Sequence, residues 1–227
     1  VTFTLNGVKF YEILDVNYGT SLSAEQIADA LAALPLLECE AFDKWETLPA
    51  AIIADTEIKA ILKTSTHTII VQTDDNHNGS AVIAGDNVTF GTYDCDKHIQ
   101  LSATANIGFV FDHWTDADGN EYADNPVEVV VKGDMTYTAY FEVQKFDVIF
   151  TLGGLHFYQT TVEYGKSLTE EQLNAALVAT PLATCEAFDK WESVPTNIVA
   201  NEEVKALVKT ARARITVASE DNTKGTA

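Results

Sequence analysis

The sequence predicts an α+β protein built from small modules in tandem, in the order ββαββ, then a mostly β module, then ββαββ again. Two observations support this prediction. Residues 19–63 align without gaps to residues 165–209, with 25 identical residues in 45 positions, and such self-similarity is typical of repeat architectures. The region between the copies is rich in β-branched and aromatic residues and lacks a helical pattern. We call the repeated unit module A and the middle unit module B.

The repeat also predicts where the modules begin and end. Module A spans 1–65, module B spans 66–144, and the second copy of module A spans 145–211. Residues 212–227 restart module B, because 215–227 matches 69–81. The chain starts without Met and stops within a module, so we expect the natural protein to extend further.

Module A opens with two predicted strands, 1–5 and 8–14, joined at Asn6-Gly7. Both turn residues tolerate positive φ, which favours a two-residue hairpin, and Gly153-Gly154 takes this place in the second copy. Two more strands are predicted near 38–46 and 57–63. With a helix between the two pairs, the order ββαββ indicates a β-grasp-like unit.

The predicted helix has clear boundaries in both copies. Ser23 with Gln26, and Thr169 with Gln172, fit a capping box, and a proline ends each helix because it cannot donate the next hydrogen bond. The apolar face is predicted to consist of Ile27, Leu31 and Leu34, mirrored by Leu173 and Leu177.

Module B reads as strands throughout. We predict strands at 68–73, 99–103, 109–114, 127–131 and 136–141, separated by turns at Asn78-Gly79, 85–87, 118–120 and 132–134.

A short aromatic-Asp-x-Trp pattern occurs once in each module. Its residues are Phe42, Asp43 and Trp45, then Phe111, Asp112 and Trp114, and finally Phe188, Asp189 and Trp191. Module B also closes with Thr138-Ala139-Tyr140-Phe141. These features resemble the internalin-B B-repeats, also called Listeria–Bacteroides repeats, and module B resembles the divergent branch of that family. The resemblance implies β-grasp-like modules strung along bacterial surface proteins, with spacer or adhesive roles.

The charge balance excludes some partners. The net charge is −20, with 34 acidic against 14 basic residues, so binding to nucleic acid is not expected, because phosphate backbones are bound through Lys and Arg. No apolar run is long enough to insert into a membrane. From the resemblance we expect an extracellular, cell-surface protein whose signal peptide and anchor lie outside this segment.

Two interpretations apply to the three Trp residues. They could form stacking platforms for a glycan, or they could anchor the core of each small sheet. The recurrence of Trp in every module favours the core. Phe and Trp are three residues apart, which breaks regular alternation and predicts a bulge or a turn that lets both rings face inward.

No catalytic site is predicted. Asp43, Asp112 and Asp189 each lack a partner carboxylate, and only His113 is adjacent to one of them, on what should be the opposite face of the strand. We expect these Asp side chains to stabilise turns. No nucleophile triad, phosphate loop or Cys/His metal spacing is present in the sequence.

Calcium is the one cofactor that the sequence suggests. Oxygen-rich loops occur at 74–79 and 116–121, where the candidate ligands are Asp116, Asp118, Asn120 and Glu121. Acidic residues beside Gly are also what β-turns require, and the sequence favours this simpler interpretation.

The remaining candidates are tyrosines and cysteines. Tyr11, Tyr93, Tyr122 and Tyr158 could form a recognition strip if exposed, although tyrosine at the edge of a core is commoner. The positively charged residues 209–214 could form a binding patch, but a junction between modules is the simpler interpretation. Cys39 and Cys185 occupy equivalent positions, so we expect buried thiols, one in each core. The exposure of Cys95 is left open.

These inferences predict an elongated, non-catalytic stalk or spacer that displays or supports an adhesin. Its neighbours would be further repeats of the same chain. The alternative is an adhesive module that binds a host extracellular protein or a glycan through exposed aromatics or an open sheet edge.

Overall fold

A computed structural model describes residues 1–212 of the chain. The predicted α+β class with β-grasp-like modules is wrong: the protein is mostly β, with about 50% strand, and its sheets are closer to a β-sandwich type. Within the described part there are only two helices, of nine and ten residues. Three strands of the middle region do not show the sequence pattern from which strands were predicted, and they were therefore missed. The prediction thus underestimated the strand content and gave the two helices too much weight.

The first sheet contains four strands in the order β2-β1-β4-β3. Its elements are β1 (Thr2–Leu5), β2 (Val8–Glu12), α1 (Ala24–Ala32), β3 (Glu40–Trp45) and β4 (Glu57–Thr64). β1 and β4 pair in parallel, and the other pairs are antiparallel. The predicted hairpin is confirmed, since Asn6 and Gly7 both have positive φ, of 53° and 80°.

The helix boundaries are confirmed, but the predicted buried face is only partly right. Both capping boxes are present, at Ser23 and Thr169. The fully buried position of α1 is Ala30, whereas Leu31 is 40% exposed. A side chain of one methyl group lets the helix lie close to the sheet, and the larger Leu31 is left at the rim of the core.

The middle region forms two sheets. They are built from β5 (Thr66–Thr73), β6 (Gly79–Ile83), β7 (Phe90–Asp94), β8 (His98–Ala105), β9 (Phe109–Asp116), β10 (Glu121–Tyr122), β11 (Val127–Val130) and β12 (Met135–Val143). The five-stranded sheet has the order β10-β9-β12-β5-β7, and the three-stranded sheet has the order β11-β8-β6. β5 and β12 are parallel.

Three of these strands, β6, β7 and β10, were not predicted. Gly79 was assigned to a turn, yet it opens β6 and is buried. A Cβ at this position would collide with the ring of Phe141. Glycine is therefore required here by close packing within a strand, which the sequence pattern alone does not show.

The last sheet repeats the plan of the first. Its elements are β13 (Lys145–Leu152), β14 (Leu155–Glu163), α2 (Glu170–Ala179), β15 (Glu186–Trp191) and β16 (Glu202–Thr210), with the strand order β14-β13-β16-β15. β13 and β16 are parallel. Phe150, Ala176 and Val204 are fully buried in its core, as Phe3 and Ala30 are in the first sheet.

The chain divides into two compact units. One contains residues 1–105 and 111–141, and the other contains residues 106–110 and the chain from Glu142 on. The first sheet belongs entirely to the first unit, and the last sheet belongs to the second. The predicted restart of module B, from residue 213 on, lies outside the described residues.

Candidate functional site

The three signature tryptophans are packed among other rings. Trp114 is fully buried, and its ring centroid lies 5.8 Å from that of Phe111. Its indole nitrogen has no hydrogen-bond partner within the described chain. A buried ring has no free face, so Trp114 is not accessible to a sugar.

Trp45 and Trp191 are half-buried in equivalent positions. Trp45 lies 5.1 Å from Phe3 and 4.9 Å from Phe42, and Trp191 makes the same two kinds of contact with Phe150 and Phe188, at 5.1 and 4.8 Å.

The predicted bulge is confirmed in both copies of module A. The pairing of β3 with β4 shifts between Phe42 and Lys44, and that of β15 with β16 shifts between Phe188 and Lys190. The extra residue at each bulge is an Asp, and this brings Phe and Trp to the same face although they are three positions apart.

The signature carboxylates lie in three different settings. Asp43 is exposed at its bulge, and Asp189 accepts a hydrogen bond from Lys209 at 2.9 Å. Asp112 contacts the imidazole of His113 at 2.8 Å, and that ring stacks on Tyr140 at 4.8 Å. The expectation that Asp112 and His113 point apart is wrong. Among the described residues, no hydrogen bond joins this imidazole to a serine, threonine or cysteine side chain.

The loop at 116–121 is closed by its own hydrogen bonds. The buried carboxylate of Asp116 accepts bonds from the amides of Asp118 and Asn120, from the side chain of Asn120 and from the Tyr122 hydroxyl, at 2.8–3.0 Å. Burial raises the pKa of Asp116, but these donors outweigh burial and lower its pKa overall. Since both carboxylate oxygens already accept protein hydrogen bonds, a calcium ion would have to displace them.

The loop at 74–79 is also held from within. Asp75 accepts hydrogen bonds from the amide and the ring of His77, both at 2.8 Å, and the bond from the backbone amide is the main reason for the lowered pKa of Asp75. Thr73 donates to Asn76 at 2.7 Å.

The candidate tyrosines do not form one strip. Tyr93 and Tyr122 lie on β7 and β10, the opposite edges of the five-stranded sheet. Burial and the hydrogen bond to Asp86 raise the pKa of Tyr93 to about 12. Tyr11 and Tyr158 are half-buried against the cores of the first and last sheets.

A disulfide that was not predicted from the sequence links module A to module B. Cys39, just before β3, is bonded to Cys95, just after β7, with their Cα atoms 5.2 Å apart. The prediction of two buried thiols is therefore wrong: Cys39 is half-buried in a disulfide, and Cys185 is an exposed free thiol. The odd number of cysteines argued against a disulfide framework, whereas the alternation of one Cys in A and one in B was the signal for this pairing.

Hydrogen bonds and ion pairs reinforce the link. Ser65 connects the two cysteines through the backbone, because its amide donates to Cys39 at 2.9 Å and its carbonyl accepts from Cys95 at 2.8 Å. Lys132 pairs with Asp96 and, at 3.6 Å, with Glu38. We call this set of contacts the A–B clamp.

The clamp also contains a group of potential metal ligands. One ligand atom from each of Cys39, Cys95 and Asp96 lies within 4.8 Å of the others. Metals bind the thiolate form of cysteine, and in the disulfide both sulfurs are already bonded to each other. The oxidised clamp therefore offers a metal only the Asp96 carboxylate.

A shallow groove lies beside the first sheet and is formed mainly by the loops at 14–18 and 52–55. It has a volume of about 190 Å³ and is lined in part by Leu14, Tyr18 and Ile53, which are 82%, 82% and 66% exposed. Neighbouring exposed apolar side chains are a feature of interaction surfaces.

Comparison with known proteins identifies the middle of the chain. Residues 70–145, about a third of the chain, match the family model described as the divergent InlB B-repeat domain. The resemblance inferred from the motifs of module B is thereby confirmed. No curated protein matches the chain. None of the described helices has the length and apolar character needed to cross a membrane.

Proposed function

We propose that this chain is a non-catalytic spacer segment of a bacterial surface protein, and that it holds an adhesive region away from the cell. The B-repeat family of its middle module belongs to bacterial surface proteins. The observation that favours a mechanical role is the A–B clamp, because a covalent bond between consecutive modules resists their separation.

The position of the disulfide determines how the first unit responds to tension. A force applied along the chain passes directly from Cys39 to Cys95, so the segment between them cannot be extended while the bond is intact. That segment spans a sequence separation of 56 residues. At the full extension of a residue, this removes about 190 Å from the length that unfolding can release.

The acidic side chains support a non-catalytic role. Asp189 is paired with a lysine, and Asp116 is surrounded by four donors, so both carboxylates serve local structure. Robust turnover of a hydrolase substrate that is lost on Asp112→Asn substitution would contradict this part of the proposal.

Small-angle scattering tests the spacer role. We expect an elongated particle whose maximum dimension grows with each added A–B pair. A compact profile whose dimension does not grow with repeat number would refute the proposal.

Single-molecule extension tests the clamp within the same proposal. The released length should increase by about 190 Å when a reductant is added, and the Cys39→Ser variant should show the longer release without reductant. An equal release in the oxidised and reduced protein would contradict a clamp in the path of tension.

The alternative function is adhesion, favoured by the exposed groove at Leu14, Tyr18 and Ile53. Host extracellular proteins and a glycan array are the probes. Binding that is lost on Tyr18→Ala and Ile53→Ser substitution, but kept on Leu155→Ser at another exposed apolar position, would favour adhesion over a passive spacer.

A further inference from the structure

Cys185 has the same local structure as the cysteine that forms the clamp. It precedes β15 as Cys39 precedes β3, and the two residues have nearly identical positive φ values of 67° and 68°. The carbonyl of Cys185 accepts a hydrogen bond from Ala211 at 2.8 Å, as that of Cys39 does from Ser65 at 2.9 Å. The second module A thus presents its cysteine in the geometry of the bonded one.

The acceptor for the other half of the clamp is also repeated. In the first copy, the Ser65 amide donates to Cys39, and the Ser65 carbonyl accepts a hydrogen bond from the amide of Cys95. Ala211 holds the corresponding position and makes the corresponding donation. The acceptor in the first copy is a backbone carbonyl, which every residue has. The second copy therefore keeps the acceptor although it has alanine where the first copy has serine.

The sequence after Cys185 repeats the sequence after Cys39. Residues 215–227 align with 69–81 at the same offset of 146 that relates Cys185 to Cys39. Isoleucine and valine recur at 215 and 217, and Gly225 matches Gly79, the position where only glycine fits against Phe141. The end of the chain therefore has the sequence of an opening module B, and in module B the bonded cysteine lies 14 residues after Ala81, at Cys95.

We infer that Cys185 is a covalent docking site for the module B that comes after it, and that it forms a second A–B clamp with the cysteine equivalent to Cys95. The exposed thiol of Cys185 is then one half of a repeated junction. This inference does not depend on the spacer role, because the bond would form whatever the surface protein does.

The bond forms by thiol–disulfide exchange. The thiolate of Cys185 attacks the disulfide of an oxidising dithiol catalyst or of a small-molecule disulfide, and it displaces one sulfur as a thiolate. The thiolate of the module B cysteine then attacks the mixed disulfide and displaces the second sulfur. Two cysteine thiols are oxidised, one external disulfide is reduced, and two protons pass to the leaving thiolates or to water.

The test uses the full chain and a version extended after Ala227 by a second copy of residues 82–144, which completes a module B. Each is treated with a glutathione redox mixture, alkylated and digested without reduction, and its peptides are identified by mass spectrometry. In the 227-residue chain, Cys185 should be the alkylated residue. In the extended chain, we expect Cys185 joined to the second copy of Cys95, with an intact mass lower by four hydrogen atoms than that of the reduced protein.

The controls make each outcome decisive. The Cys39–Cys95 peptide in the same digest shows that module B folds and oxidises under the conditions used. In the extended chain with the Cys185→Ser substitution, the appended cysteine should be found fully alkylated. In the extended chain, alkylated Cys185 beside an intact Cys39–Cys95 disulfide, or a Cys185–Cys185 dimer as the main product, would overturn the inference.

Discussion

The Cys39→Ser substitution should strongly destabilise the first unit. The Cys39–Cys95 bond closes a loop with a sequence separation of 56 residues, so its main effect is to limit the freedom of the unfolded chain. The loop-entropy relation gives a loss of about 4 kcal/mol in the free energy of unfolding at 25 °C. Strands β3 to β7 lie within this loop, and we expect hydrogen exchange to accelerate in them.

The matched control is Cys185→Ser, a change of the same atoms at the equivalent position, where the thiol is free and exposed. Guanidinium titrations followed by tryptophan fluorescence, with the oxidised wild type as reference, give both free energies. Cys185→Ser should be within about 0.5 kcal/mol of the wild type. Equal stability of the two variants, or a loss below about 1 kcal/mol for Cys39→Ser, would refute the entropic role assigned to the clamp.

Three further predictions concern local features. Gly79→Ala should cost about 1–3 kcal/mol because the new methyl group meets the Phe141 ring; Gly133→Ala, with open space around it, should be neutral in the same denaturant titration. Asp116→Ala should cost about 2 kcal/mol at pH 7 through lost hydrogen bonds to a charged acceptor. Because the folded state lowers the pKa of Asp116, its contribution is present above the unfolded value of 3.8 and is lost as the pH falls through the folded pKa, so the difference from wild type should shrink in acid. A gap that widens in acid would contradict this. Ser23→Ala should cost about 1 kcal/mol in thermal unfolding by loss of the helix cap, and an unchanged transition would count against the capping box.

The sequence predicted local features well. Asn6-Gly7 and the two capping boxes were predicted correctly because each depends on residues within a few positions. The bulge that brings Phe42 and Trp45 together could also be predicted, since a spacing of three residues is incompatible with regular alternation.

Predictions failed where distant residues decide the outcome. Gly79 was predicted to be a turn residue because it follows Asn78. It is glycine because Phe141, far along the chain, packs against it. Leu31 fits an apolar stripe, yet the depth of helix packing places Ala30 in the core. The class prediction failed for the same reason, because strands such as β6 are recognisable only from their partners in the sheet.

The sequence alone determined that this protein is a tandem repeat with a B-repeat-like middle module, because repetition and motif spacing can be read without coordinates. Only the tertiary structure decided which cysteine is bonded and which is free. Cys39 and Cys185 are followed by the same seven residues and have nearly equal φ angles, but within the described chain Cys39 has a partner thiol within reach and Cys185 has none. Disulfide formation depends on the distance between residues far apart in sequence, and that distance is a property of the folded chain.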